Sequence, residues 1–203
     1  MRGIERVRQA YGIVARQYIQ RFGTAAQVAD DDLAFIDRHL SIPNGSVLDV
    51  GCGPGHLTAH LRDRGVSATG IDVVPTFIDH ARSMYPTGRC ALGSIDRLPT
   101  PDRSVAGILA WYSLIHVAPD DLQTVLVELR RTMAPGCRLV AGFFPGAEVE
   151  AFDHKVTTAY SWPVDELAAR LGQVGLAEIE RSQRSGAPES GSRPHAAIAA
   201  TLR

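Results

Sequence analysis

The sequence predicts an α/β fold with one doubly wound, mostly parallel sheet of seven strands. Two observations predict it. From about residue 46 onwards, short apolar segments alternate with segments of helical periodicity, and strands separated by helices of about ten residues pair in parallel through right-handed crossovers. The 203 residues, 45% hydrophobic and 21% charged, suit one globular domain. We therefore expect a single domain, 1–203, in which a helical segment, 1–40, precedes a core, 41–203.

The first 40 residues have the periodicity of helices. Apolar side chains recur at helical spacing, as at Ile4, Val7, Tyr11, Val14 and Tyr18. The sequence SIPNGS then interrupts the pattern. A helical N-terminal unit is therefore expected before the first strand.

The core elements follow one another in a regular order. Strands are predicted at SVLDVG, SATGID, RCAL, VAGILAWY, PGCRLVAGFF, LAEIERSQ and HAAIAATL, and helices at LTAHLRDRG, PTFIDHARSMY, APDDLQTVLVELRRTM and PVDELAARLGQVG. Only a Gly/Pro/Ser loop joins the last two strands, so they should form an antiparallel hairpin. The last strand is therefore expected to run against the rest of the sheet.

Charge and composition exclude several classes of protein. A net charge of -1 provides no general attraction for nucleic acid phosphates. No segment approaches the roughly 20 apolar residues that span a bilayer, and the N-terminus lacks a signal-type apolar run. Cys52, Cys90 and Cys137 lack the paired spacing of a zinc site. We expect a cytoplasmic protein with reduced cysteines and no metal, nucleic acid or membrane partner; its oligomeric state has no signature in the sequence.

A glycine-rich loop, DVGCGPG at 49–55, follows the first predicted strand. Ligands of such sheets bind at the carboxyl ends of the strands, and glycine lets the main chain approach a ligand closely. The third glycine comes one place too early for the nicotinamide pattern G-x-G-x-x-G, and no lysine follows as in a phosphate loop. The loop is interpreted as a cofactor cradle that fits neither pattern well.

Four motifs in order carry a family resemblance. DVGCGPG is followed by GID, by GSIDRLPTPDRSV and by ILAWYSLIHV. This series resembles the class I S-adenosylmethionine-dependent methyltransferases, in particular their small-molecule branch, over nearly the whole chain. The resemblance implies a Rossmann-like fold, S-adenosyl-L-methionine as cofactor, and methyl transfer to a small-molecule acceptor. A nicotinamide-dependent oxidoreductase and a non-catalytic S-adenosylmethionine-binding module remain as alternatives.

The resemblance implies a set of cofactor-binding residues. Asp49 would steady the loop, Asp72 would accept the ribose hydroxyls, and Val73 would cover one face of the adenine. Ser94 stands where the family has an acid, and the backbone of Ile95 would meet the adenine ring. In YGIVARQY, two tyrosines would close on the methionine end, which makes 1–40 a lid. The full set is Tyr11, Tyr18, Asp49, Gly51, Cys52, Gly53, Asp72, Val73, Ser94, Ile95, Trp111 and Tyr112.

Candidate catalytic and acceptor residues lie in the same region. His116 is the only histidine of the strand-end segment and is the candidate general base; the alternative is that it packs or caps the next helix. Because the last strand is antiparallel, its start should share the rim where the parallel strands end. Aromatic and cationic groups converging there would suit a planar or apolar acceptor with a carboxylate or phosphate, unless they are ordinary loop residues. The predicted acceptor set is Phe144, His154, Tyr160, Trp162, Arg193 and His195.

Overall fold

The structure, a computed structural model, describes residues 2–42, 45–186 and 193–203. Its helices are α1 (Arg2–Phe22), α2 (Asp30–Leu40), α3 (His56–Asp63), α4 (Pro75–Met84), α5 (Pro119–Thr132) and α6 (Val164–Gln173). Its strands are β1 (Ser46–Val50), β2 (Ser67–Asp72), β3 (Arg89–Leu92), β4 (Val105–Trp111), β5 (Met133–Phe143), β6 (Glu150–Asp153), β7 (Thr158–Ser161), β8 (Leu176–Arg184) and β9 (His195–Leu202).

Seven strands form one sheet in the order β3-β2-β1-β4-β5-β9-β8. Strands β1 to β5 pair in parallel, whereas β9 is antiparallel to both β5 and β8. The predicted fold class and the reversed last strand are confirmed. Because the chain leaves β1 towards β2 on one side and returns to β4 on the other, the carboxyl ends of β1 and β4 border the crevice where such sheets bind ligands.

A small hairpin was not predicted. Strands β6 and β7 pair with each other in a separate two-stranded sheet that follows β5. Each has only four residues, and so short a segment shows too little alternation to distinguish a strand from a loop. The hairpin carries the segment in which the sequence placed several acceptor residues.

The N-terminal helical unit divides into two parts with different surroundings. α2 buries Phe35, Ile36 and Leu40 in the same cluster as Leu61 of α3, on one face of the sheet. α1 instead packs its Tyr11 side against α4 at the carboxyl edge. The helical segment 1–40 is thus interrupted between α1 and α2, and α2 is part of the core. Only α1 has the position of a lid.

Within the three described ranges, no helix combines the length and the apolar character that crossing a bilayer requires.

Candidate cofactor and acceptor site

The glycine loop after β1 is built on left-handed backbone. Gly51, Gly53 and Gly55 have φ angles of 72°, 53° and 85°. Residues other than glycine adopt this left-handed backbone conformation only at a cost in free energy. The N–H groups of Gly51 and Cys52 both donate to the carbonyl oxygen of Ile71, at 2.7 and 3.1 Å. The loop is therefore fixed to the carboxyl end of β2.

The three glycines differ in what surrounds them. A Cβ added at Gly55 would lie 2.7 Å from the Cβ of Ala81, and one at Gly51 would collide with Ser113. A Cβ at Gly53 would meet no heavy atom of the described residues within 4 Å. Gly51 and Gly55 are required by packing, whereas Gly53 borders space that a ligand can fill.

Asp72, the last residue of β2, is bonded to the same loop. Its Oδ2 accepts the N–H of Gly53 at 2.9 Å, and its Oδ1 accepts the N–H of Val74 at 2.8 Å. Burial raises the pKa of Asp72 above its usual range, although these backbone bonds oppose the shift. A carboxylate has about four acceptor positions, so about two remain for hydroxyl donors above Gly53.

Asp49 lies beneath the loop and is only 2% exposed. Its Oδ2 accepts the hydroxyl of Thr58 in α3 at 2.6 Å. Burial raises the pKa of Asp49 to about 7; the Thr58 bond lowers it, and the nearby charge of Asp72 raises it further. The side chain joins β1 to the helix that follows the loop, which is the steadying position predicted from the motif.

An open cleft of about 420 Å³ lies at the carboxyl end of β3. Val73, Ser94 and Asp96 contribute to its wall on the sheet side, and Arg8 of α1 contributes to the opposite wall. The hydroxyl of Ser94 donates to Oδ1 of Asp96, while the side chain of Ile95 packs against the core. Sequence reasoning missed Asp96: its carboxylate stands two residues beyond the motif position of the family's acid, and the D of GSID is the signal that could have found it.

The two aromatic residues at the end of β4 pack towards β5 and β9. The ring of Trp111 lies 5.4 Å from that of His195, and the ring of Tyr112 lies 4.8 Å from that of Phe144. Tyr112 also has a left-handed φ of 54°, and its N–H donates to the carbonyl oxygen of Gly142 at 2.9 Å. The structure therefore brings these two predicted cofactor residues together with members of the acceptor set.

The predicted lid tyrosines form an aromatic cluster with α4. The rings of Tyr11 and Tyr18 are 5.3 Å apart, and Phe77 lies 6.0 and 5.3 Å from them. Burial raises the pKa of both hydroxyls, that of Tyr18 to about 12, and the negative charge of Asp72 adds to both shifts. Both phenols are therefore protonated at neutral pH and lie close enough to Asp72 to sense its charge.

His116 connects this lid to the β6–β7 hairpin. Its Nδ1 lies 2.8 Å from the carbonyl oxygen of Thr158, and its Nε2 lies 2.9 Å from the hydroxyl of Tyr11. Because a carbonyl only accepts, Nδ1 carries the proton and Nε2 accepts from Tyr11. Burial lowers the pKa of His116. The imidazole is therefore neutral, and the lone pair on its Nε2 accepts a hydrogen bond from Tyr11 of α1.

Members of the predicted acceptor set separate into three environments. Phe144 and His154 lie together, with ring centroids 5.9 Å apart, and the guanidinium of Arg193 covers the ring of Phe152 at 4.1 Å. Burial, followed by the neighbouring charges, lowers the pKa of His154 to about 4. The other three members lie elsewhere. Trp162 is 2% exposed inside the core, Tyr160 is half-buried against the core, and His195 is 3% exposed beside Tyr112.

Fold and site together define a class: an open α/β sheet with a glycine cradle and a carboxylate at the ends of β1 and β2. Sequence comparison agrees with it. The family described as a methyltransferase domain matches residues 47–136. O-methyltransferase rstn1 of Aspergillus nomiae is 34% identical over 159 residues, 71% of this chain and 69% of that protein. The chain belongs to the class I S-adenosylmethionine-dependent methyltransferases, whose cofactor is S-adenosylmethionine.

Other similar proteins differ in length and acceptor. A malonyl-[acyl-carrier protein] O-methyltransferase of Serratia marcescens is 34% identical over 96 residues, 47% of this chain and 37% of that protein. The chain thus spans less than half the length of this relative. The 1,6-didemethyltoxoflavin-N1-methyltransferase of Burkholderia thailandensis, solved with 1,6-didemethyltoxoflavin and S-adenosylhomocysteine, has a TM-score of 0.78 at 18% identity over 98% of this chain and 88% of that one. This likeness shows a shared fold.

Proposed function

We propose that the chain binds S-adenosylmethionine at the carboxyl ends of β1 to β3 and transfers its methyl group to a small-molecule acceptor. The observation that carries the proposal is the pairing of Gly53 with Asp72: a residue with open space above it, bonded to a carboxylate with acceptor positions to spare. The cofactor supplies an electrophilic methyl group when bound. The protein's own side chains bind the cofactor, orient the acceptor and exclude water from the site.

The cofactor's polar groups have matching partners along the strand ends. Asp72 would accept the two ribose hydroxyls as charge-assisted hydrogen bonds, and Val73 would cover an adenine face in the 420 Å³ cleft. The hydroxyl proton of Ser94 is donated to Asp96. We therefore propose that the carboxylate of Asp96 accepts a hydrogen bond from the adenine amino group. The proposal thereby assigns to a Ser94–Asp96 pair the role that the motif gave to Ser94 alone.

α1 would act as the lid of a single domain. Tyr11 and Tyr18 bury Asp72 and the strand ends from the solvent, and a water-excluded site strengthens the electrostatic interactions within it. The link from Tyr11 to His116 joins the lid to the strand-end segment. His116 remains a candidate base for the state in which Tyr11 has turned away and freed its Nε2.

The acceptor proposed is a small molecule with a planar or apolar body and a negative charge. Phe144, Phe152 and His154 supply aromatic walls, and Arg193 supplies a cation at their edge. Arginine pairs well with carboxylate and phosphate. With a net charge of -1, the chain has no general attraction for a phosphate polymer, so we propose a free small molecule, methylated in the cytoplasm, rather than a nucleic acid.

Two measurements test the proposed function. Calorimetry should detect binding of S-adenosylhomocysteine and no binding of NAD. Binding of NAD alone would favour the nicotinamide-dependent oxidoreductase instead. S-adenosylhomocysteine release should then be measured with a panel of hydroxybenzoates, short-chain acids and their neutral amides. Turnover that favours the acids and falls in Arg193→Gln, but not in the exposed Arg103→Gln, supports the anionic acceptor. Cofactor binding without release from any compound would favour the non-catalytic module.

A further inference from the structure

Four side chains from different elements form a chain of polar contacts beside the acceptor residues, and its two central members, Asp32 and His195, are buried. The guanidinium of Arg184, at the end of β8, holds both carboxylate oxygens of Asp32 in α2 at 2.9 and 3.0 Å. Oδ1 of Asp32 lies 3.3 Å from Nε2 of His195 at the start of β9. Nδ1 of His195 is hydrogen-bonded to the hydroxyl of Tyr112. An arginine, a carboxylate, an imidazole and a phenol therefore follow one another in space.

The surroundings of His195 decide which nitrogen carries its proton. A lone pair on Nε2 would face the Asp32 carboxylate, which is unfavourable, so Nε2 carries the proton and Nδ1 accepts from Tyr112. Nε2 lacks a well-directed hydrogen bond within residues 2–42, 45–186 and 193–203. A positive charge on this imidazole would turn the poor contact with Asp32 into an ion pair.

Tyr112 is held in a strained conformation at the strand-end site. Its φ of 54° is left-handed, a conformation it shares with Arg103 alone among the non-glycine residues described. The bond to Gly142 and the contact with Phe144 hold it there. Strain of this kind concentrates at functional sites. The phenol oxygen donates its proton to His195 and keeps lone pairs for an acceptor beside Phe144.

We propose that Tyr112 and His195 form a proton route that activates a hydroxyl acceptor. The inference rests on the proposed function. As the acceptor oxygen forms its bond to the methyl carbon and the methyl–sulfur bond breaks, the acceptor's proton passes to the phenol oxygen of Tyr112. The phenol's own proton passes to Nδ1 of His195. Tyr112 ends neutral, His195 ends as an imidazolium next to Asp32, and the sulfonium charge is lost, so the total charge is unchanged.

The surroundings of His195 keep its imidazole in the neutral form that can accept a proton. Burial lowers the pKa of His195 and Asp32 raises it, whereas Arg184 lowers it. The imidazole is therefore neutral at pH 7, and the carboxylate that will stabilise its charged form is already in place. His116 differs, because its accepting nitrogen is held by Tyr11 whenever the lid is closed.

The test uses 4-nitrophenol, a hydroxyl compound whose phenolate absorbs visible light. It is titrated into protein saturated with S-adenosylhomocysteine, at a pH where the free phenol is mostly protonated. We expect the apparent pKa of bound 4-nitrophenol to be at least one pH unit, or tenfold in ionisation, lower in the wild type than in Tyr112→Phe and His195→Gln, because only the wild type offers the linked phenol and imidazole to its proton. Tyr112→Phe removes one hydroxyl and keeps the ring, so it tests the route even if His195→Gln folds poorly.

A matched control comes from a second Arg–Asp–His group. His60 lies in the last turn of α3, away from the strand-end rim, with Nε2 2.8 Å from Asp37, which is also held by Arg64 at 2.7 Å. His60→Gln should ionise the bound phenol like the wild type. Wild-type behaviour of Tyr112→Phe overturns the proposal, as does failure of the wild type to bind or ionise 4-nitrophenol. Separate calorimetry with S-adenosylhomocysteine distinguishes this failure from failure of the proposed function, in which the cofactor product itself does not bind.

Discussion

Replacing Asp72 by asparagine tests the cofactor site most directly. The substitution keeps the size of the side chain and removes its charge. In the proposed complex two ribose hydroxyls donate to this carboxylate, and hydrogen bonds to charged groups contribute about 1.5–3 kcal/mol each. Asparagine keeps one accepting oxygen, so we expect a loss of roughly 2–4 kcal/mol, or roughly 30- to 700-fold in Kd.

The structure adds a second reason for this loss. Asp72 accepts the N–H groups of Gly53 and Val74 on different oxygens, and the amide nitrogen of asparagine cannot accept. One of these N–H groups would therefore face a donor, and the cradle would be less well ordered before the cofactor arrives. Part of the lost affinity should appear as a lower melting temperature of the ligand-free variant.

The assay is calorimetric titration with S-adenosylhomocysteine, with far-UV circular dichroism to check folding. Asp79→Asn is the control, because Asp79 lies seven residues further on, on the exposed side of α4, and should bind like the wild type. A folded Asp72→Asn protein that loses less than tenfold in affinity would refute the ribose assignment.

Four further changes should separate the roles of the glycine loop, the α1 lid and the supporting carboxylate. Gly53→Val should abolish cofactor binding because its side chain occupies the cradle, and it should also lose some stability because valine is strained at a left-handed φ; wild-type affinity would move the site elsewhere. Gly55→Ala, whose Cβ would lie 2.7 Å from that of Ala81, should lower the melting temperature, and an unchanged melting temperature would contradict the packing role. Deleting α1 should retain far-UV dichroism but weaken S-adenosylhomocysteine binding, and unchanged affinity would reduce its tyrosines to packing residues. Because burial raises the pKa of Asp49 to about 7 from 3.8, the ligand-free fold binds the extra proton and loses stability as pH rises from about 4 to 7. Burial shifts the pKa of Asp72 in the same direction, so Asp49→Asn should reduce this slope in denaturant titrations, and an unchanged slope would place its origin elsewhere.

Local sequence was sufficient for most of the sheet. Apolar segments such as SVLDVG and HAAIAATL are long enough to define buried strands, and the missing helix between the last two strands determined their antiparallel pairing. The β6–β7 hairpin was not predicted because its strands are short. The different surroundings of α1 and α2 were not predicted, because helical periodicity shows that one face of a helix is buried but does not show what that face packs against.

The sequence by itself determined the cradle and the cofactor class, because both depend on residues close together in the chain, such as the glycines of DVGCGPG and the aspartate that ends the next strand. Only the tertiary structure decided the partners of side chains far apart in sequence. It moved Trp162 into the core, placed Tyr11 on His116, and joined Asp32 to His195 across 163 positions. Such contacts form because the carboxyl ends of several strands lie at one edge of the sheet. A local sequence pattern does not show which side chains are brought together there.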